Sequence, residues 1–164
     1  MPEITVPTIR PYRSEDAAGC RACVVELQDA ERQVDPRLRP GAAIADAYLD
    51  QIHKYRHDYA GDLFVAECDG EIAGLVNVLT RVPFEAIDEP PGNYAIVAEL
   101  VVLERFRRRG IARALLDVAE QRARSAGASE LQIAVLSRNA VARDLYLQEG
   151  FVPYKETLSK RLDG

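Results

Sequence analysis

The feature that most constrains the fold lies in the second half of the chain, where two strand-like stretches flank a helical pattern. Residues 94–103 form a long apolar run with a single charge, Glu99, and residues 130–136 form a second buried-looking stretch. Between them, helical periodicity begins at Ile111 and ends at Gly127, a glycine suited to a left-handed helix cap. Two strands joined through a crossover helix run parallel, so this half predicts a parallel βαβ unit.

The first half predicts antiparallel strands and two helices. Asp69-Gly70 lies between two strand-like runs, and this dipeptide favours a two-residue hairpin because both turn positions need a positive φ. We therefore expect an α/β fold with a mixed sheet, antiparallel strands first and the parallel unit after them, in a single domain over residues 1–164. The other expected elements are a strand over residues 8–12, helices over 14–34, 44–59 and 139–149, and a final strand that begins at Phe151.

Charge and hydropathy limit the classes of function. The chain has 164 residues and a formal net charge of −5. Nucleic acids and anionic membranes attract proteins through a summed positive field, so neither is an expected partner. No apolar run approaches the ~20 residues of a membrane span, and the first ten residues lack the basic and apolar regions of a secretory leader. We expect a cytoplasmic protein.

The cysteines and histidines favour structural roles. Cys20 and Cys23 form a C-x-x-C pattern, but they lie inside a helical pattern on its apolar stripe, which favours core packing over redox or metal chemistry. His53 and His57 are spaced i, i+4 on a predicted helix, and no third ligand is evident, so a solvated helix face is favoured. We expect no bound metal.

A cluster of arginines stands between the apolar run and the helix of the second half. Arg107, Arg108 and Arg109 precede Gly110, and Ala112 follows in the first helical turn. A helix N-terminus offers unpaired N–H groups and a partial positive charge, and a glycine lets an anion approach the backbone. The alternative is that Gly110 only eases a tight turn and that the arginines are solvated. The P-loop and Rossmann phosphate-binding patterns are absent.

Two motifs carry a resemblance to a known family. The pattern R-x-x-G-x-A, at Arg107, Gly110 and Ala112, resembles the acyl-CoA signature of the GCN5-related N-acetyltransferases, the GNAT superfamily. The second motif is similar to the family's N-x-x-A-x-x-L-Y-x-x-x-G-F segment, with Asn139, Ala142, Leu145, Tyr146, Gly150 and Phe151 in register. The two motifs occur in order, one crossover unit apart, and the resemblance is close over residues 98–151.

The resemblance implies a GNAT-like fold in which the two central strands splay apart and the pantetheine arm of acetyl-CoA lies in the gap. It also implies an enzyme, an N-acetyltransferase that moves an acetyl group directly from acetyl-CoA to a primary amine in a ternary complex. Backbone groups of the first central strand would bind the pantetheine, and the start of the next helix would bind the pyrophosphate. The positions implied for acetyl-CoA are Leu100, Val101, Val102, Arg107, Arg108, Arg109, Gly110, Ile111, Ala112, Arg113, Asn139, Arg143 and Tyr146.

Acetyl transfer to an amine needs a base and an acid. An amine arrives protonated at neutral pH and must lose a proton before it attacks. Glu99 is the candidate base, directly or through a water, because burial in an apolar strand raises the pKa of a carboxyl group. A solvated or ion-paired Glu99 is the alternative. In some relatives a glutamate on the following strand does this work, but the matching residue is Ala134. The resemblance makes Tyr146 the acid for the leaving thiolate; the alternative is a core aromatic.

The acceptor and the rival functions stay open at the level of sequence. In this family, segments matching residues 28–41 and 84–92 shape the acceptor site, and their carboxylates either attract a cationic amine or only add solubility. One rival is a catalytically silent acyl-CoA-binding module or sensor, which would not depend on Tyr146 or Glu99. Another is an arginine-led nucleic-acid contact, which needs a wider basic face. A homodimer through edge strands or C-terminal segments is also open. The carboxylates are Asp29, Glu31, Asp35, Glu85, Asp88 and Glu89.

Overall fold

In the computed structural model, which describes residues 6–163, these residues form one five-stranded sheet and four α-helices. The sheet order follows the chain, with β1 to β4 antiparallel and β5 parallel to β4. This confirms the predicted α/β fold with a mixed sheet. The strands are β1 (Thr8–Pro11), β2 (Asp62–Cys68), β3 (Glu71–Pro83), β4 (Asn93–Val102) and β5 (Leu131–Ile133). The helices are α1 (Ala17–Val34), α2 (Gly41–Asp58), α3 (Ile111–Ser125) and α4 (Ala140–Gln148).

The core lies on both faces of the sheet. Consecutive residues of a strand point to opposite faces, and in β3 the neighbours Leu75 and Val76 are both 0% exposed. Helices α1, α2 and α3 all pack on β3, and α1 also packs on α2. The apolar run of β3 therefore reflects a central strand that is covered on both sides.

The predicted hairpin is confirmed. Asp69 and Gly70 have φ values of 52° and 78° between β2 and β3, which is the positive φ at both positions that the dipeptide favours. The hairpin fixes the antiparallel register of the first strands.

Strand β4 carries a bulge beside Glu99. Asn77 of β3 faces Glu99, but its neighbour Val78 faces Val97, so Ala98 is an extra residue on β4. A β-bulge breaks the alternation of side chains and re-aims the residues next to it. The bulge therefore decides where the carboxylate of Glu99 points.

The two parallel strands separate after a short contact, as the resemblance implied. β4 pairs with β5 only from Ala95 and Leu131 to Val97 and Ile133. β5 then ends, three residues before the predicted end of the stretch, and residues 134–136 are exposed. Residues 98–102 of β4 thus lack a strand partner on this side, and we call the gap beside them the cleft.

The predicted final strand is wrong. Residues 151–163 contain no strand, although Phe151 is partly buried and its N–H donates to the Tyr146 carbonyl at 3.0 Å. Val152 and Tyr154 are 78% and 66% exposed. A strand needs a neighbouring backbone, and the edge strand β5 offers only three residues. The local sequence does not show that this partner is missing.

Three observations on the helices bear on the sequence predictions. Cys20 and Cys23 are fully buried, and burial raises the pKa of each thiol to about 12, which confirms core packing. His57 is exposed as predicted, but the prediction is wrong for His53, whose ring lies 5.2 Å from that of Tyr12 because α2 packs against the end of β1. Within residues 6–163, no helix is long and apolar enough to cross a membrane.

Candidate active site

The N-terminus of α3 leaves three backbone N–H groups without a partner in the helix. Gly110 caps the helix with φ 75°, and its carbonyl accepts the first helical bond, from the Ala114 N–H at 3.1 Å. The N–H groups of Ile111, Ala112 and Arg113 therefore have no partner within the helix. Together with the helix dipole, these groups attract an anion to the end of α3. The structure thus brings together the backbone positions that the sequence predicted.

Two of the predicted arginines support the turn through their side chains. Arg107 donates from Nε to the Val102 carbonyl at 3.0 Å and forms an ion pair with Glu26 at 3.1 Å. Arg109 donates to the Arg105 carbonyl at 3.3 Å. These guanidinium groups hold the backbone between β4 and α3 in place, a role that the sequence did not predict.

The other predicted arginines differ in their availability. Arg108 is exposed, and its backbone has a positive φ of 60°. Its side chain has no hydrogen bond or ion pair with the residues that the structure describes. Arg143 is likewise exposed on α4. Arg113, in contrast, forms an ion pair with Glu149. Arg108 is therefore the arginine of the turn whose charge is least engaged by the protein.

The backbone of β4 presents alternate residues to the cleft. The Val101 carbonyl oxygen lies 2.5 Å from the place a Cβ would take on Gly74, so it faces β3. Since backbone groups alternate along a strand, those of Leu100 and Val102 face the cleft. The Val102 carbonyl is already bonded to Arg107. Of the three predicted positions, Val101 therefore faces β3. Leu100 is the one whose N–H and carbonyl both face the cleft without a contact to Arg107.

Glu99 is a partly buried carboxylate with two polar partners. Asn77 donates from Nδ2 to its Oε2 at 2.7 Å, and the Tyr48 hydroxyl lies near enough to lower the pKa of Glu99. Burial raises the pKa of Glu99, Asn77 and Tyr48 offset part of the rise, and the charge of Glu31 adds to it. A carboxyl group with a raised pKa is a better proton acceptor near neutral pH than an exposed one.

Tyr146 lies on α4, partly buried, with its ring 6.1 Å from that of Phe151 in an edge-to-face arrangement. Burial raises the pKa of Tyr146, and the charge of Glu31 raises it further, so the hydroxyl keeps its proton at neutral pH. Asn139 caps the same helix, because its Oδ1 accepts from the Ala142 N–H at 3.2 Å. The structure therefore gives Asn139 a role in fixing the helix that carries Tyr146.

Two polar residues of the site were missed at the level of sequence. Asn77 is 0% exposed, and its Oδ1 has no hydrogen-bond partner within residues 6–163. An asparagine inside the apolar run of β3 was a readable signal, since buried amides need a reason. Tyr48 gave no such signal, because it is one tyrosine on a helix far along the chain from Glu99.

The splayed mixed sheet, with a glycine-capped helix at the end of its central strand, is the architecture of a class of acetyltransferases. The model of the acetyltransferase (GNAT) family matches residues 24–151, which is most of the chain. The chain therefore belongs to the acetyltransferase (GNAT) family.

Two curated relatives match part of the chain. One is the uncharacterized N-acetyltransferase YycN of Bacillus subtilis, 35% identical over 74 residues, which are 45% of this chain and 47% of that protein. The other is an N-alpha-acetyltransferase of Sulfurisphaera tokodaii, 31% identical over 110 residues, 65% of this chain and 66% of that protein. The matches thus span about half and about two thirds of the length of these relatives.

Solved structures share the fold over nearly the whole chain. The aminoglycoside acetyltransferase AAC(6')-Iy, in complex with the bisubstrate analog CoA-S-monomethyl-acetylneamine, superposes with a TM-score of 0.68. The superposition covers 96% of this chain and 98% of that one at 19% identity. At this identity the likeness concerns the fold.

Proposed function

We propose that the protein is an N-acetyltransferase, a single domain that moves an acetyl group from acetyl-CoA to a primary amine within a ternary complex. The observation that carries the proposal is Glu99, a carboxylate whose pKa is raised by burial and which Asn77 and Tyr48 hold beside the cleft. Family membership supports the reaction class. The CoA analog bound by the structural neighbour supports acyl-CoA as the acetyl source.

In this proposal, acetyl-CoA binds along the cleft. The N–H groups of Ile111, Ala112 and Arg113 bind the pyrophosphate, and Arg108 adds a charge that no carboxylate of residues 6–163 neutralises. The pantetheine amides pair with backbone groups of Leu100, which would otherwise lack a strand partner. The thioester then lies near the bulge of β4.

The chemistry divides between one base and one acid. Glu99, directly or through a water, takes a proton from the ammonium group of the acceptor, and the neutral amine attacks the thioester carbonyl. A C–N bond forms and the C–S bond breaks, while the Tyr146 hydroxyl gives its proton to the leaving thiolate. The proton that the new amide nitrogen loses restores Tyr146. One proton in total leaves through Glu99, so charge and atoms balance.

The test combines binding with single-turnover transfer. We expect acetyl-CoA to bind the purified protein, measured by calorimetry, and acetyl amide to form with a panel of primary amines. Tyr146→Phe should leave acetyl-CoA binding nearly unchanged and slow transfer roughly 10²-fold or more, the scale of lost acid catalysis.

Two outcomes would count against the proposal. Binding of acetyl-CoA without transfer to any amine would identify a silent acyl-CoA-binding module. Unchanged turnover in Tyr146→Phe would remove this residue from the mechanism.

A further inference from the structure

Five of the six carboxylates in the two acidic segments are engaged elsewhere or exposed. Asp29 accepts from the Gly41 N–H at 2.7 Å, and Asp35 forms an ion pair with Arg37. In the second segment, Glu89 accepts from two backbone N–H groups of its own loop. Glu85 and Asp88 are exposed in that loop. All five carboxylates are therefore either bonded to other groups of the protein or exposed in a loop.

Glu31 differs from them because it lies on the inward face of α1. Residues spaced three or four apart share one face of a helix, and Val24 and Gln28, which precede Glu31 at this spacing, are 0% and 7% exposed. Glu31 itself is partly buried. Within residues 6–163, it takes part in no ion pair. A half-buried carboxylate without a cation is costly unless something else supplies the charge.

Electrostatics connects Glu31 to the reacting groups. Its negative charge raises the pKa of Glu99, of Tyr48 and of Tyr146. Burial in turn raises the pKa of Glu31, with no cation near enough to lower it. Glu31 therefore lies near enough to Glu99 for the negative charge of one carboxylate to oppose that of the other.

A second observation points to a ligand beside Glu99. The Oδ1 atom of Asn77 is buried and unpartnered, while the Nδ2 atom of the same amide is bonded to Glu99. A buried acceptor beside the base is suited to an N–H group that arrives with a substrate. Glu99 and Asn77 together therefore fit the reacting nitrogen, which leaves Glu31 without a role at that atom.

We propose that Glu31 binds a second cationic nitrogen of the acceptor, so that the substrate class is a diamine or another amine with two cationic groups. This inference rests on the proposed function. The reacting nitrogen must become neutral to attack, and two carboxylates on one ammonium group would hold its proton in place. A second nitrogen stays charged throughout, and its ion pair with Glu31 orients the first nitrogen towards Glu99.

The test uses matched acceptors. Diaminoalkanes of three to six carbons are compared with alkylamines of the same length, which lack only the second ammonium group. We expect the best diamine to exceed its matched alkylamine roughly 10- to 100-fold in kcat/KM, the range of a hydrogen bond to a charged group. Glu31→Gln should remove this preference, mainly through KM, so that the diamine and its matched alkylamine react with similar kcat/KM.

The control is Glu15→Gln, the same change at an exposed glutamate just before the first residue of α1. This variant should keep the preference for the diamine. Equal rates for diamine and alkylamine in the wild type would overturn the inference while leaving the proposed function intact. A loss in Glu31→Gln that is the same for both acceptors would overturn it as well.

A thermal-shift measurement tests the binding of a diamine to Glu31 without relying on turnover. Diamine should raise the melting temperature of the wild type and of Glu15→Gln, but not that of Glu31→Gln. If no amine is acetylated, the proposed function fails, and the absence of a diamine shift would then overturn the inference separately.

Discussion

At the scale of single residues, the buried charge that suits Glu99 to its proposed role also lowers the stability of the fold. Because burial raises its pKa in the folded state, the group stabilises the fold fully only below the pKa of an unfolded glutamate. That contribution is lost as the pH rises through the folded pKa. At neutral pH the charged form that the proposed mechanism uses as base is therefore also a destabilising group.

Glu99→Gln should separate these two effects. We expect acetyl transfer to fall roughly 10²- to 10⁴-fold, the scale of general base catalysis. The melting temperature should rise at neutral pH, where the wild type carries the buried charge, and stay close to the wild-type value at acidic pH, where Glu99 is protonated. Single-turnover kinetics and calorimetric melts at the two pH values measure both quantities.

The control for this change is Glu120→Gln, an exposed glutamate paired only with Arg124 on α3, which should change neither activity nor melting temperature appreciably. A wild-type acid limb of kcat/KM at the pH of an ordinary glutamate would contradict a base with a raised pKa. So would a lower melting temperature for Glu99→Gln at neutral pH.

The residues of the site were readable from the sequence to different degrees. Glu99 was found because a single charge interrupts an apolar strand, and Tyr146 because a motif surrounds it. The cooperation of Tyr48 with Asn77 could not be read in this way. It arises when α2 packs on the sheet, and this tertiary contact has no local pattern in the chain.

At the scale of elements, Gly110 links the end of β4 to α3. It has φ 75° with open space where a Cβ would point, and Gly70 in the β2–β3 hairpin has φ 78° with the same open space. A side chain at either position meets a similar backbone strain of about 1–2 kcal/mol. The two glycines therefore form a matched pair for separating fold from function.

Gly110→Ala and Gly70→Ala should lower the free energy of unfolding by similar amounts, measured by urea titration. Only Gly110→Ala should weaken acetyl-CoA binding, because its methyl group stands where an anion approaches the N–H groups of α3. Equal acetyl-CoA affinities in the two variants would argue against pyrophosphate binding at this helix end.

The elements themselves were predicted best where local patterns decide them. The hairpin and the helix of the βαβ unit follow from turn chemistry and periodicity, which act within a few residues. The strand expected from Phe151 failed because pairing depends on a neighbour that local sequence does not reveal. The short extent of β5 has the same origin, since the splay is a property of two strands together.

At the scale of the whole molecule, a buried charge cluster fastens α1 to the sheet. Arg10 of β1 forms ion pairs with Asp16, just before α1, and with Glu67 of β2. Asp16 is 4% exposed, and its hydrogen bond from Arg10 holds the pKa of this carboxyl below its usual range. Stability from this pair is present above the pKa of an unfolded aspartate and is lost as the pH falls through the folded pKa.

Asp16→Asn should destabilise the whole domain. We expect a loss of about 3–5 kcal/mol at neutral pH, because the partly buried Arg10 is left without its main partner. The loss should shrink at strongly acidic pH, where the wild-type carboxyl is also protonated. Urea unfolding at the two pH values measures it, and Asp46→Asn, which breaks an exposed pair with Arg21, should cost about 1 kcal/mol or less. Equal costs for the two variants would show that burial of the pair is unimportant.

The light attachment of α4 has a consequence for the enzyme cycle. No residue of this helix is fully buried, yet it carries Tyr146. In the proposed complex, any ordering of this helix around acetyl-CoA opposes binding. The affinity for acetyl-CoA is then lower than its contacts alone would give. The same effect weakens the binding of the product, free CoA, in the same cleft. A weakly held product favours rapid turnover.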